Sequence, residues 1–187
     1  MQVLKFQSID TKDRIDMRGE WWSRIYEYPL ILDLLDKYGA TTNSNIHNTC
    51  WGFKDMHIWF KNTLDKKYPN NINSDINPSP QPNTYVYDLT TPPKKEWVEN
   101  FEFVINVSTL EEIKSDHIGV FEKSFSMVKK GGYFLSTFDL PGLQLEKFED
   151  FFNTKYKLTS NPINGLNSKW VSTRYGSLSC GYMVIKK

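Results

Sequence analysis

Cysteine is scarce in this chain of 187 residues: Cys50 and Cys180 stand far apart, and no CxxC pair occurs. That excludes a disulfide framework and a structural zinc site, and it suits a reducing, cytoplasmic setting. No sign of charge dominates. The 23 basic and 22 acidic residues leave a formal net charge of +1, so nothing recommends nucleic acid or an anionic membrane as a partner. No apolar run approaches the roughly 18 residues of a spanning helix, and the opening MQVLKFQSIDTKDR is too polar for a secretory signal. The GxGxxG turn that admits a dinucleotide pyrophosphate is absent, which sets a nicotinamide-dependent oxidoreductase aside. His47, His57 and His117 lack metal-ligand spacing, so no metal is expected.

Aromatic residues are plentiful, and 12 Phe, 10 Tyr and 6 Trp suffice for one sizeable core. Five short apolar runs read as strands, over 45–50, 71–75, 84–88, 103–107 and 133–138. Several end in a small or acidic residue, where a parallel strand meets a ligand. The pattern predicts an α/β fold: a Rossmann-like, doubly wound, mostly parallel seven-stranded sheet with a nucleotide-type ligand across its strand ends. FEFVINV is apolar on both sides of Asn106, as in a strand buried on both faces. Near the C-terminus, YKLTS, KWVSTRY and LSCGYMVIKK read only as strands and predict an antiparallel finish.

Between the strands the apolar period changes. Trp22, Ile25 and Tyr26 fall at helical spacing, and Leu30, Leu34 and Leu35 resume it after Pro29, with Gly39 as a cap. Two short helices, or one kinked at Tyr28, are expected. Helix 55–68 presents Met56, Trp59, Phe60 and Leu64 behind an N-cap at Asp55. Helix 115–130 presents Ile118, Phe121, Phe125 and Val128 and is stopped by Gly131 and Gly132. A further helix turns Leu145, Phe148, Phe151 and Phe152 inward. INPSPQPN is too rich in proline for a helix, so an irregular loop joins the second and third strands. The organisation predicted is a helical lid or cap over 1–44 and one Rossmann-like domain over 45–187.

From about Asn45 to Phe138 this arrangement resembles the class I S-adenosylmethionine-dependent methyltransferases. In that family the first strand ends in Asp, any residue, Gly, any residue, Gly. Here the equivalent stretch is Asn48, Thr49, Cys50, Trp51 and Gly52. The resemblance implies that Asn48, Cys50 and Gly52 border the cofactor, although only the last glycine of the motif is kept. Glycine suits such a turn because positive φ costs it little. Cys50 in a left-handed conformation would cost roughly 1 kcal/mol.

The resemblance also assigns Asp75 to the ribose hydroxyls, since both carboxylate oxygens can accept. The competing reading makes Asp75 an Asx-type residue opening the proline-rich turn. Asp88 matches the acidic residue beside the adenine amino group, with Leu89 offering its backbone N–H to the ring, unless Asp88 is an ordinary strand-end residue. Asn106 in the fourth strand is counted with the cofactor-binding residues. Arg24 and Tyr26 fall where the family carries a lid, the arginine to pair with the methionine carboxylate and the aromatic to meet the sulfonium, or both are core.

The function this implies is an S-adenosylmethionine-dependent methyltransferase acting on a small-molecule or sugar-like acceptor. The alternative is a catalytically inactive, methyltransferase-like binding or assembly subunit, motivated by the altered glycine turn. In-line methyl displacement demands alignment and exclusion of water more than a dedicated acid or base. For a hydroxyl acceptor the candidate bases are Glu111, Glu112, Asp139, His57 and His117. In LEEI, Glu112 stands where many family members carry a histidine, so that histidine's role does not carry over.

Overall fold

A computed structural model describes residues 1–9, 23–52, 55–140, 142–156, 170–173 and 176–187. Trp22 and most of the YKLTS stretch lie outside them. Five strands run mutually parallel: β2 (Ile46–Thr49), β3 (Ile72–Asp75), β4 (Thr84–Val86), β5 (Phe101–Val107) and β6 (Val128–Leu140). β8 (Gly176–Lys186) lies antiparallel to β6, and β1 (Gln2–Ser8) lies antiparallel to β8 at the sheet edge. The path is β1-β8-β6-β5-β2-β3-β4, and β7 (Trp170–Thr173) adds a hairpin arm to β8. This is the Rossmann-like, mostly parallel sheet expected, seven strands along its path.

Helices cover both faces. α1 (Arg24–Lys37) and α2 (Asp55–Lys67) bury Tyr28, Ile31, Leu35, Phe60 and Leu64 against Phe103, Ile105 and Leu135. On the other face α3 (His117–Ser126) and α4 (Leu145–Tyr156) bury Phe121, Phe148 and Phe152 against Val104, Phe134 and Phe138. Adjacent residues of β5 thus serve opposite faces, as the two-residue period requires. Phe121 meets Phe148 at 5.7 Å and 70° and Phe152 at 5.8 Å and 84°, the edge-to-face geometry that the ring quadrupole favours.

Two elements differ from expectation, and α1 takes the single-helix form, one of the two expected for it. The segment 1–44, expected to be a helical lid, opens with β1. Its pattern QVLKFQS buries Phe6 alone, so local alternation is weak and the open edge of β8 decides its fate. α1 is one continuous helix with Pro29 inside it. An interior proline costs about 3 kcal/mol, but Ile25, Tyr28, Ile31, Leu34 and Leu35 are buried by that helix, at about 1.5–3 kcal/mol for each large apolar side chain.

α3 stops at Ser126, four residues before the expected end. Lys129 to Gly132 form a bulge in β6, because Phe101 pairs with Val128 while Phe103 pairs with Tyr133. Gly131 supplies φ +81° there, and a Cβ on Gly132 would lie 2.6 Å from the Glu102 carbonyl. The two glycines therefore serve the sheet and not a helix cap. The loop from Ile76 to Asn83 contains no helix, as the prolines require.

Candidate functional site

The parallel strands β2, β3 and β5 end on one edge of the sheet, and the loops leaving them determine what gathers there. β2 exits through Cys50 at φ +51° and Gly52 at φ +73°. The Trp51 amide donates to the Ser74 carbonyl at 3.1 Å, so the turn is pinned to β3. The Gly52 amide donates to Asp75 Oδ2 at 3.1 Å. Asp75 Oδ1 accepts from the Asn77 amide at 2.9 Å and its side chain at 3.1 Å. Asp75 is thus the Asx-type residue of the competing reading and also the anchor of the glycine turn.

Asp88 accepts from the amide and hydroxyl of Thr90, each at 2.8 Å, and these bonds hold its carboxyl below the usual range. Leu89 is 2% exposed and belongs to the apolar core. Asp75 and Asp88 both act electrostatically on Cys50: burial first, and then these two carboxylates, push its thiol up. The sulfur is therefore a neutral thiol at physiological pH, without nucleophilic character.

Over the glycine turn lies a cavity of about 140 Å³, lined by Arg24, Tyr28, Asn48, Cys50, Gly52, His57 and Ser108 among others. Arg24 faces it from α1 and is held at 2.5 Å by Glu27, with its other nitrogen 3.3 Å from the Ser108 carbonyl. Glu27 is fully buried and accepts also from the Ser23 hydroxyl at 2.9 Å and the Ser108 hydroxyl. Burial alone would raise the Glu27 carboxyl, but Arg24, Ser108 and Thr137 outweigh it and hold it below its ordinary value. The Tyr28 hydroxyl is hydrogen-bonded to His57 Nδ1, and burial pushes that phenol up.

Of the residues singled out in the sequence, Arg24, Asn48, Cys50 and Gly52 line this cavity; Asp75, Asp88, Leu89, Asn106 and Tyr26 do not. Asn106 points into the sheet, donating to the Thr49 hydroxyl at 3.2 Å. Tyr26 is partly buried against the core of α1. The tyrosine that α1 turns to the cavity is Tyr28, four residues after Arg24 and so on the same helix face. That spacing was legible in the sequence. The part played by His57 and Ser108 was not, because no local period relates them to Gly52.

Trp51 separates less than it joins: its side chain lines both this cavity and a larger one of about 470 Å³ bordered by Ile58, Asn77, Pro78 and Pro80. Its indole N–H is buried with no hydrogen-bond partner among the described residues, so a ligand acceptor would satisfy it. Asp75 and Asp88 line neither cavity, so the Trp51 donor and the small turn are what the described residues offer there to a cofactor of the S-adenosylmethionine kind. The room at Gly52 is narrower than the about 300–1,000 Å³ usual for ligand pockets.

Beyond Ser108 a second group of carboxyls gathers. Glu111 Oε1 accepts from the Asp139 amide at 2.7 Å, while its Oε2 is buried without a partner among the described residues. Burial, with Glu27 and Asp139 adding, pushes the Glu111 carboxyl up to about 8. Burial and Glu27 push Asp139 up to about 6, and the Cys180 thiol donates to it at 3.2 Å. His117 is committed elsewhere, with Nε2 at 3.0 Å from the Ile113 carbonyl and Nδ1 accepting from the Gln144 amide at 3.2 Å. Glu112 is exposed.

No protein-family model and no curated protein matches the chain by sequence. Solved structures do match by shape. The [4+2]-cyclase SpnF aligns over 98% of this chain and 88% of its own, with 10% identity and a TM-score of 0.58. The N-methyltransferase NodS from Bradyrhizobium japonicum WM9, solved with S-adenosyl-l-homocysteine, aligns over 86% and 85%, with 11% identity and a TM-score of 0.53. A SAM-dependent methyltransferase from Aquifex aeolicus aligns over 82% and 88%, with 10% identity and a TM-score of 0.52. Against other methyltransferases matched, the chain spans about half their length, 52%. The chain has the class I methyltransferase fold. Among the described residues no helix is long and apolar enough to cross a membrane.

Proposed function

We propose that this protein binds S-adenosylmethionine and transfers its methyl group to a small-molecule or sugar-like acceptor, without a nucleic-acid or membrane partner. The observation that carries the reading is the hydrogen bond between Asp75 and the Gly52 amide, which joins the acidic strand end to the glycine turn. In this reading Asp75 and Asp88 hold the adenosine, Gly52 and Cys50 admit the amino-acid tail, and Arg24 meets its carboxylate. The cofactor supplies an electrophilic methyl group. The chain's own residues supply alignment and exclusion of water, and a hydroxyl acceptor gives its proton to Asp139. Support for that role is that burial and Glu27 bring the Asp139 carboxyl up to about 6, near the operating pH where a general base is best matched, whereas Glu111, pushed up to about 8, keeps its own proton there.

Cys50 favours the second reading, a silent binding subunit, because it takes positive φ at a motif glycine position. SpnF, a cyclase by name with the same architecture, illustrates that fold does not fix chemistry. Calorimetric titration with S-adenosylmethionine and its demethylated product decides: saturable heat is expected, and neither heat nor thermal stabilisation at millimolar ligand would abandon the cofactor. Asp75→Ala is expected to weaken binding by about 1–3 kcal/mol through lost charge-assisted hydrogen bonds. An unchanged dissociation constant would remove Asp75 from the site.

A further inference from the structure

A glycine beside a ligand site usually means that the ligand must approach the backbone. At Gly52 the near neighbour belongs to the chain itself. A Cβ built there would lie 2.5 Å from Cδ2 and 2.8 Å from Cγ of His57. The imidazole comes from the first turns of α2, lines the same cavity as Gly52, and is hydrogen-bonded through Nδ1 to Tyr28 of α1. Tyr28 is 2% exposed and lies flat on Phe60, with centroids 4.1 Å apart at 6°, so the hydroxyl that holds the ring is itself rigidly seated.

We propose that the His57 imidazole, held by Tyr28, occupies the place over Gly52 that the cofactor's amino-acid tail takes, and must leave for the cofactor to enter. The inference rests on the cofactor reading above and adds competition from within the chain. Only the fraction of molecules with the ring displaced binds, so the apparent dissociation constant exceeds the intrinsic one by the reciprocal of that fraction. Removing the ring, or the hydroxyl that holds it, raises the competent fraction. His57 is half-buried, so its truncation leaves the core intact, and Tyr28→Phe keeps the stack on Phe60.

Titration of wild type, His57→Ala and Tyr28→Phe with S-adenosylhomocysteine tests this. His57→Ala is expected to tighten binding about tenfold and Tyr28→Phe about threefold, as the competent population grows. A second measurement needs no ligand. Gly52→Ala should lower the melting temperature more in wild type than in the His57→Ala background, because only the backbone strain remains once the ring is gone. Wild type binding as tightly as both variants overturns the inference and leaves the cofactor reading standing. Equal melting shifts for Gly52→Ala in the two backgrounds also overturn it. Absence of binding by all three proteins at millimolar ligand overturns the cofactor reading, and this inference with it.

Discussion

The two halves of the sheet are built from different side chains. β5, β6 and β8 bury Phe103, Val104, Ile105, Phe134, Leu135, Val184 and Ile185, with Asn106, Ser136 and Thr137 as their polar exceptions, whereas β2 and β3 bury His47, Asn48, Thr49, Asn73, Ser74 and Asp75 beside Ile46. The apolar half is stabilised by area removed from water. The polar half depends on hydrogen bonds among its buried groups, and Asp65 anchors several of them. Its Oδ1 accepts from Asn71 at 2.6 Å and Asn73 at 2.9 Å, and its Oδ2 pairs at 2.6 Å with the fully buried Lys61. Asn73 in turn accepts from Asn48 at 3.0 Å. Buried networks of this kind contribute little net stability and much position. The half that holds the candidate site is thus the half in which position matters.

Four substitutions would break or sharpen that contrast. The largest effect is expected for Phe121→Ala in the apolar half, a loss of about 3–5 kcal/mol from the cavity it opens, read by denaturant unfolding. Asp65→Ala should follow at about 3 kcal/mol, since it strands a buried ammonium and two amides. A loss below about 0.5 kcal/mol, the size of an ordinary surface change, would mean that the polar half is not held by this network.

Glu111 is a half-buried acid beside the apolar half, with its Oε2 out of contact with solvent. The unfolded chain releases its proton near 4.5 and the folded chain keeps it to about 8. The folded state therefore binds the extra proton in that window, and its contribution to stability falls as pH rises from 4.5 to about 8. Glu111→Gln should flatten that fall and gain on the order of 2 kcal/mol at pH 8, visible as a melting-temperature difference that closes at pH 4. The smallest effect belongs to the exposed Lys67–Asp36 pair at 2.6 Å: Lys67→Ala should change stability by less than about 0.5 kcal/mol and lose even that in salt.

Much of this arrangement was legible. The spacing of Ile118, Phe121 and Phe125 announces α3, and its cap Asp116 accepts from the Ile118 and Gly119 amides at 3.3 and 3.2 Å. β3 ends at Asp75 as expected, whereas β4 stops at Val86, two residues short of Asp88. Tyr28 and not Tyr26 faces the cavity, because a run of aromatics on one helix does not say which face meets the loops. Asn106, the polar residue within the apolar fourth strand, stands opposite Thr49 in register and bonds to it. His57 carried no local signal for contact with Gly52, since that contact depends on where α2 starts after the turn.

What the chain's order of residues determined alone is local: apolar periods of two and 3.6, prolines that forbid a helix between β3 and β4, and acids at strand ends. Tertiary structure decided the placement of β1 on the edge of β8, the bulge at Gly131 and Gly132, the face that α1 turns to the cavity and the ring lodged over Gly52. The physical reason is range. Periodicity and turn chemistry act between near neighbours, whereas register, bulges and cavity linings are settled by contacts between segments that the sequence keeps far apart.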